Sequence, residues 1–331
     1  MDPLVARLRA AGCVFAEDEA AALREAARTP EELETMAVRR VAGEPLELVI
    51  GWAEFDGLRV RVAPGVFVPR LRSTLMVRVA VGLLRQDGPI AAPTPAATLG
   101  AERSAADRSA LPSVIDLGCG TGAIGAAVAA RVPDVTVWAV DVDPAAVDCA
   151  RRNLPPGRVL LGDLYAPLPA GLRADVVCAN APYVPTGAIA LMPPEARDHE
   201  HRVALDGGPD GLDVQRRVIA GAPDRLVPGG WLLIESSRAQ APTTATLMAA
   251  AGLTPTIHTD DEVDGTVVAG RLDERHGLSA GTRKVVHPPP VDDPRDEGTA
   301  HRGTHDAVPG KNMSYGLDRR TSRTGTARPL A

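Results

Sequence analysis

The spacing of apolar residues changes several times along the chain, and each change marks an element. Leu4, Val5 and Leu8 fall on one helical face, and a second helix is predicted from Glu19 to Arg28. Thr29-Pro30-Glu31-Glu32 combines an N-cap residue, a proline at the first helical position and acids in the first turn. Gly43 and Pro45 close this helical unit, so residues 1–44 are predicted as a small N-terminal helical domain. Leu46 to Phe55 and Leu58 to Val62 read as strands joined across Asp56-Gly57, a hairpin turn sequence, and residues 45–70 are expected to form a β-hairpin linker. Helical spacing returns over residues 71–85. Residues 87–113 are rich in Pro, Ala and Ser without periodicity and read as a long loop.

From Val114 onward, short apolar runs alternate with helical patterns. Strands are predicted at Val114-Ile115, Val135 to Val140, Arg158 to Leu161, Asp175 to Ala179 and Trp231 to Ile234. Helices are predicted at Ala123 to Val132, Pro144 to Asn153, Leu212 to Leu226 and Pro242 to Ala251. Two last strands, near Pro255 to His258 and Thr266 to Ala269, flank an acidic turn. This alternation predicts an α/β fold with a doubly wound, mostly parallel sheet, assigned to residues 71–273. Residues 274–331 hold Pro288-Pro289-Pro290, scattered charges and few apolar side chains, and are expected to be disordered.

Composition narrows the function without naming it. Apolar residues make up 45% and charged residues 24%, an ordinary globular balance. The net charge of -6 is uneven: residues 275–331 carry 10 basic and 6 acidic side chains, which leaves -10 on the remainder. An acidic body suits phosphate backbones poorly, so nucleic acid is not the expected direct substrate. Cys13, Cys119, Cys149 and Cys178 form no CxxC pair and no cluster with His. No metal site or disulfide framework is therefore expected; buried thiols in a reducing cytosol are the simpler reading. Without a signal-peptide pattern or an apolar run of about 18 residues, a cytoplasmic protein with no membrane partner is expected.

Asp116-Leu117-Gly118-Cys119-Gly120-Thr121-Gly122 lies at a strand-to-helix junction. Glycines let the backbone turn sharply against a ligand, and the helix start offers free N–H groups. Asp116, Gly118, Gly120 and Gly122 are thus candidate cofactor-binding positions. Gly120-Thr121-Gly122-Ala123-Ile124-Gly125 also fits the dinucleotide pattern GxGxxG, and Asp141 would accept from ribose hydroxyls in either case. The next strand separates the two ligands. Gly162-Asp163-Leu164 offers an acceptor for an adenine amino group, although Asp163 equally suits a turn or a helix cap. Adenine, ribose and a carboxylate-bearing tail together describe S-adenosylmethionine, and no hydride-transfer constellation accompanies the glycines.

Asn180-Ala181-Pro182-Tyr183 follows the fourth strand, where ligands of such sheets bind. Pro182 holds Ala181 extended, which can set the Asn180 amide oxygen and a backbone carbonyl side by side. Two convergent acceptors suit a planar NH2 group, and Tyr183 can pack against its plane. An amide nitrogen is a feeble nucleophile because its lone pair is delocalised. Gripping both N–H groups aims that lone pair at an electrophilic methyl and favours the developing tetrahedral geometry. Asn180, Ala181, Pro182 and Tyr183 are therefore the candidate catalytic group. A plain Asn-Pro turn is the competing structural explanation.

With these residues assembled, the sequence resembles the HemK/PrmC-type protein-(glutamine-N5) methyltransferase family, which modifies the Gly-Gly-Gln loop of peptide-chain release factors. The resemblance runs from about Val41 to Arg271. It includes Gly43-Glu44-Pro45, Phe67-Val68-Pro69-Arg70, the glycine loop, Asn180 to Tyr183, the long run from Ala204 to Asp213, Pro228-Gly229-Gly230, Glu235 and Gln240. It implies a class I S-adenosylmethionine methyltransferase: a Rossmann-like, seven-stranded sheet preceded by a helical substrate-recognition domain. It further implies that Asp141 binds ribose, that Asp163 with Leu164 meets adenine, and that Asn180 touches both cofactor and glutamine. The Ala181 carbonyl would be the second acceptor, and Phe67, Pro69 and Tyr183 would contact the protein substrate. The product would be S-adenosyl-L-homocysteine, with no metal, and the partner a release factor.

Three departures mark a divergent branch. The family's Asn-Pro-Pro-Tyr is Asn180-Ala181-Pro182-Tyr183; its Pro-Glu-Thr-Glu is Leu71-Arg72-Ser73-Thr74; its Glu-x-Gly is Glu235-Ser236-Ser237. Two other functions stay open at this point. One is N-methylation of an exocyclic base amine in RNA or DNA, and the other is a non-catalytic binding protein on the same fold.

Overall fold

The computed structural model describes residues 2–85, 111–192 and 194–274. Most of the expected 87–113 loop, and all but the first residue of the 274–331 tail, lie outside the described residues.

Helices α1 (Pro3–Ala10), α2 (Ala16–Ala26) and α3 (Pro30–Val41) pack around Leu8, Ala16, Ala20, Leu23 and Ala37. Each helix start shows why the chain turns there. The Asp2 carboxylate accepts from the Leu4 N–H at 3.0 Å, and the Thr29 hydroxyl accepts from the Glu32 N–H at 3.2 Å. Glu32 reaches back to accept from the Arg28 N–H at 2.9 Å. A largely buried ion pair, Arg40–Glu19 at 2.7 Å, ties α3 to α2.

The expected strand from Leu46 is a correction. Leu46–Ile50 forms a short helix, α4. Leu46, Val49 and Ile50 stand at i, i+3 and i+4, and all three pack onto the helical cluster. Gly51, at φ 85°, ends the turn. Strands β1 (Trp52–Phe55) and β2 (Leu58–Arg61) then pair antiparallel with Phe55 opposite Leu58. Asp56 and Gly57 have φ of 53° and 78°, the positive pair that a two-residue hairpin with native twist requires.

The central sheet comprises β3 (Ser113–Leu117), β4 (Thr136–Asp141), β5 (Val159–Leu161), β6 (Ala174–Ala179), β7 (Leu226–Glu235), β8 (Leu253–Asp260) and β9 (Gly265–Leu272). Its order is β5-β4-β3-β6-β7-β9-β8, parallel except for β9, which runs antiparallel to both neighbours. The helices are α5 (Thr74–Arg85), α6 (Ala123–Arg131), α7 (Pro144–Ala150), α8 (Pro194–His199), α9 (Asp213–Arg225) and α10 (Ala241–Ala250). Side chains alternate across the sheet with period two. Val114, Val176, Cys178 and Leu233 face the cluster that includes α5 and α6; Ile115, Leu117, Val177, Leu232 and Ile234 face α9 and α10. Both faces are covered, which is why these strands read as continuous apolar runs. All four cysteines are buried.

One predicted boundary moved. Strand β7 starts at Leu226 rather than Trp231, because a register shift against β6 between Ala174 and Val176 absorbs Pro228-Gly229-Gly230. Residues 186–204, for which no element was predicted, contain short 3-10 turns at Thr186–Leu191 and Arg202–Ala204 on either side of α8.

Candidate active site

The strand order reverses direction between β3 and β6, and a crevice opens beyond their carboxyl ends. Leu117 and Ala179 are register partners, so the glycine loop and Asn180 leave the sheet side by side. A cavity of ≈ 800 Å³ lies there. Its walls include Gly118, Gly120, Asp141, Asp163, Leu164, the whole stretch from Asn180 to Tyr183, and Phe67 with Pro69.

The loop has the character of a cradle. A Cβ on Gly118 would come no closer than 3.8 Å to any neighbour (the Asn180 carbonyl oxygen), and one on Gly120 no closer than 3.9 Å. Packing does not exclude side chains here; the space belongs to the cavity. The Asp141 carboxylate accepts from the Gly120 N–H at 2.8 Å and from the Asp143 N–H at 2.9 Å. Burial raises its pKa although those N–H groups oppose the rise. Each of its oxygens keeps a lone pair for a hydroxyl.

Two of the expected cofactor positions lie outside the cavity wall. Gly122 does not line the cavity: a Cβ there would meet Leu154 Cδ1 at 2.8 Å, so this glycine lets α6 pack on its neighbours. Asp116 is 1% exposed and lies beneath the loop, where it accepts from the Gly125 N–H at 3.0 Å. Burial pushes its carboxyl up to about 7, with the nearby Asp141 adding to the rise. It supports the loop from behind. Asp163 does reach the cavity, but its carboxylate pairs with Arg217, another wall residue. Leu164 beside it holds φ 47°, an unfavourable backbone region for a side-chain-bearing residue, which marks a constrained turn.

The corner itself is held from three sides. The Asn180 amide nitrogen donates to the Ser73 hydroxyl at 3.3 Å, leaving Oδ1 as its remaining acceptor. Ala181 is 3% exposed, and among the described residues no hydrogen bond ends on its carbonyl oxygen. The Tyr183 carbonyl accepts from Gln240 Nε2 at 3.1 Å, while its phenol accepts from Arg72 at 3.3 Å. The run from Ala204 to Asp213 wraps this corner, and Gly211 is required there. It sits at φ 78°, and a Cβ would lie 2.3 Å from the Tyr183 carbonyl oxygen.

Sequence reasoning missed the strap over the cavity. Glu200 is buried and accepts from the Val68 N–H at 3.1 Å and from Arg70 at 2.6 Å. It thereby presses Phe67-Val68-Pro69-Arg70 against the site. Arg70 also covers the Phe67 ring at 5.2 Å. His201, exposed at the surface, places Nδ1 2.5 Å from Asp143, the N-cap of α7. No local signal announces the Glu200 and His201 contacts, because each joins residues more than fifty positions apart. Among the described residues, no group of three or more His, Cys, Asp or Glu could hold a metal. No described helix is long and apolar enough to cross a membrane.

Known proteins similar to this chain give its family. Residues 104–192 match the methyltransferase small domain family. The chain is 36% identical over 252 residues to the release factor glutamine methyltransferase of Geobacter sulfurreducens, covering 73% of this chain and 80% of that one. It is 38% identical to the same enzyme of Gloeobacter violaceus, covering 66% and 71%. A solved structure, the release-factor-specific protein-(glutamine-N5) methyltransferase of Alicyclobacillus acidocaldarius, is 22% identical over 62% of this chain and 94% of that one, with TM-score 0.35. On the identities shared across most of both curated relatives, the chain belongs to the release factor glutamine methyltransferase family of class I S-adenosylmethionine-dependent methyltransferases.

Proposed function

We propose that this enzyme methylates the side-chain amide nitrogen of a glutamine in the Gly-Gly-Gln loop of a peptide-chain release factor, acting in the cytoplasm and releasing S-adenosylhomocysteine. One observation carries the reading: the glycine cradle and the two-acceptor corner stand on paired residues of adjacent strands and share one cavity. The names of the relatives agree with it.

The residues present fit the cofactor. Gly118 and Gly120 leave room for its amino acid end, Asp141 offers acceptors for ribose hydroxyls, and Asp163 with Leu164 borders the adenine end. When bound, S-adenosylmethionine supplies an electrophilic methyl carbon on a positively charged sulfur. Asn180 Oδ1 and the Ala181 carbonyl accept one glutamine N–H each, which fixes the plane of the amide and turns its nitrogen toward that carbon. Positive charge developing on the nitrogen during methyl transfer would be bound by both acceptors more strongly than the neutral amide. The extra proton then leaves the nitrogen for water. Tyr183, Phe67 and Pro69 border the glutamine and its neighbours.

The N-terminal helices are proposed as the docking unit for the protein substrate; Val14, Phe15, Val38 and Val41 expose apolar side chains there. The test is incubation with labelled S-adenosylmethionine and purified release factor, then peptide mass spectrometry. A methyl on the glutamine of the Gly-Gly-Gln loop is expected. Label found in nucleic acid and absent from protein rejects the reading.

A further inference from the structure

Glu235 ends β7 as a buried acid. It is 1% exposed, and neither carboxylate oxygen makes a hydrogen bond of good geometry. The groups that act on it are the Ser73 and Tyr183 hydroxyls and the Arg72 guanidinium. Val267, opposite it on β9, and Ala179, paired with its neighbour Ile234, bring no charge. Ser73 is 2% exposed; it accepts from Asn180 at 3.3 Å, and its proton is given to no partner among the described hydrogen bonds. A buried hydroxyl with an unspent proton therefore stands beside a buried acid with unspent lone pairs. Leaving either unsatisfied is costly.

We infer that Ser73 and Glu235 are positioning residues that decide which end of the Asn180 amide faces the substrate. The inference rests on Asn180 being the glutamine acceptor. Ser73 gives its proton to ionised Glu235, so its lone pairs face Asn180, which must answer with its NH2. The amide oxygen is then left for the glutamine. A flipped Asn180 would set its NH2 against the glutamine NH2, donor against donor. Protonating Glu235 reverses the chain: the acid donates to Ser73, whose proton turns to Asn180 and draws the amide oxygen away from the cavity. Burial pushes Glu235 up to about 7 against the opposing pull of Ser73, Arg72 and Tyr183, so the reversal falls within an accessible pH range.

The experiment measures turnover on release factor, cofactor Kd and the pH profile of kcat for the full chain and four variants. Ser73→Ala should lower kcat about tenfold, the worth of one good hydrogen bond, while Kd for the cofactor stays within about twofold and reports an intact fold. Ser73→Thr, which keeps the hydroxyl, should recover most of the loss. The kcat of the parent should fall as pH drops below about 7. Glu235→Gln accepts from Ser73 at every pH and should lose that acid limb. Ser73→Ala with full kcat, Ser73→Thr no better than Ser73→Ala, or an acid limb that survives Glu235→Gln would each overturn the inference. Asn180→Ala separates it from the proposed function: full turnover in that variant removes the acceptor role itself, whereas its loss beside an unaffected Ser73→Ala rejects the Ser73–Glu235 link alone.

Discussion

The two halves of the cavity are built in different ways. On the β3-β4-β5 side, each wall residue sits within a few positions of its own strand end, and short contacts organise it: Asp141 to the Gly120 and Asp143 N–H groups, Asp116 to Gly125. On the β6-β7 side, Asn180 and Tyr183 depend on Ser73, Arg72, Gln240 and Gly211, all far away along the chain. On the proposed assignment, cofactor recognition is a local property of one Rossmann-like half, while the acceptor corner is assembled by tertiary packing. Damage to the first half should appear in cofactor affinity, and damage to the second in turnover.

The largest effect tests that division directly. Asn180→Ala should cost about 100-fold or more in kcat, the usual loss on removing an acceptor or donor that works in the transition state, with cofactor Kd nearly unchanged. Isothermal calorimetry beside steady-state kinetics separates the two, and equal losses in both would break the comparison. Asp141→Ala should do the opposite, weakening cofactor binding roughly 10- to 100-fold through lost charge-assisted hydrogen bonds. Its kcat at saturating cofactor should change far less.

Asp116 sharpens the comparison by supporting the cofactor side without touching the cavity. Its folded pKa of about 7 lies above the ordinary value of 3.8, so between those values the native state binds a proton the unfolded chain has released. This contribution to stability is present at low pH and is lost as pH rises through about 7. Asp116→Asn should therefore raise the melting temperature by a few degrees near pH 8 and progressively less toward pH 5, roughly. A difference that does not vary with pH would mean that Asp116 does not titrate there. The smallest effect concerns Arg217. Its pair with Asp163 is solvent-exposed, so Arg217→Ala should alter cofactor Kd by no more than about threefold. A larger change, read by the same calorimetry, would assign Arg217 a direct part in the adenine end.

Local patterns carried most of the fold. The capped helices, the Asp56-Gly57 hairpin and the α/β alternation were all legible, because each depends on neighbours within a turn or a strand. Leu46–Ile50 was misread as strand because five apolar-rich residues suit either period, and only contact with the helical cluster decides. The glycine loop and the corner were visible as chemistry, yet sequence could not tell the cradle glycines from Gly122, which packs helix α6, or a wall acid from the buried Asp116.

Sequence by itself determined which residues could bind a carboxylate, a ribose or a planar amide, since those capacities belong to side-chain chemistry and short spacing. The tertiary structure decided which of them meet. Sheet register brought Gly118 beside Asn180, the β3–β6 reversal opened the crevice between them, and packing brought Ser73 and Glu200 into it from distant segments and set the buried Glu235 near Ser73. Hydrogen bonds across more than a hundred positions leave no period or motif in a chain. They exist only once burial has forced the partners together.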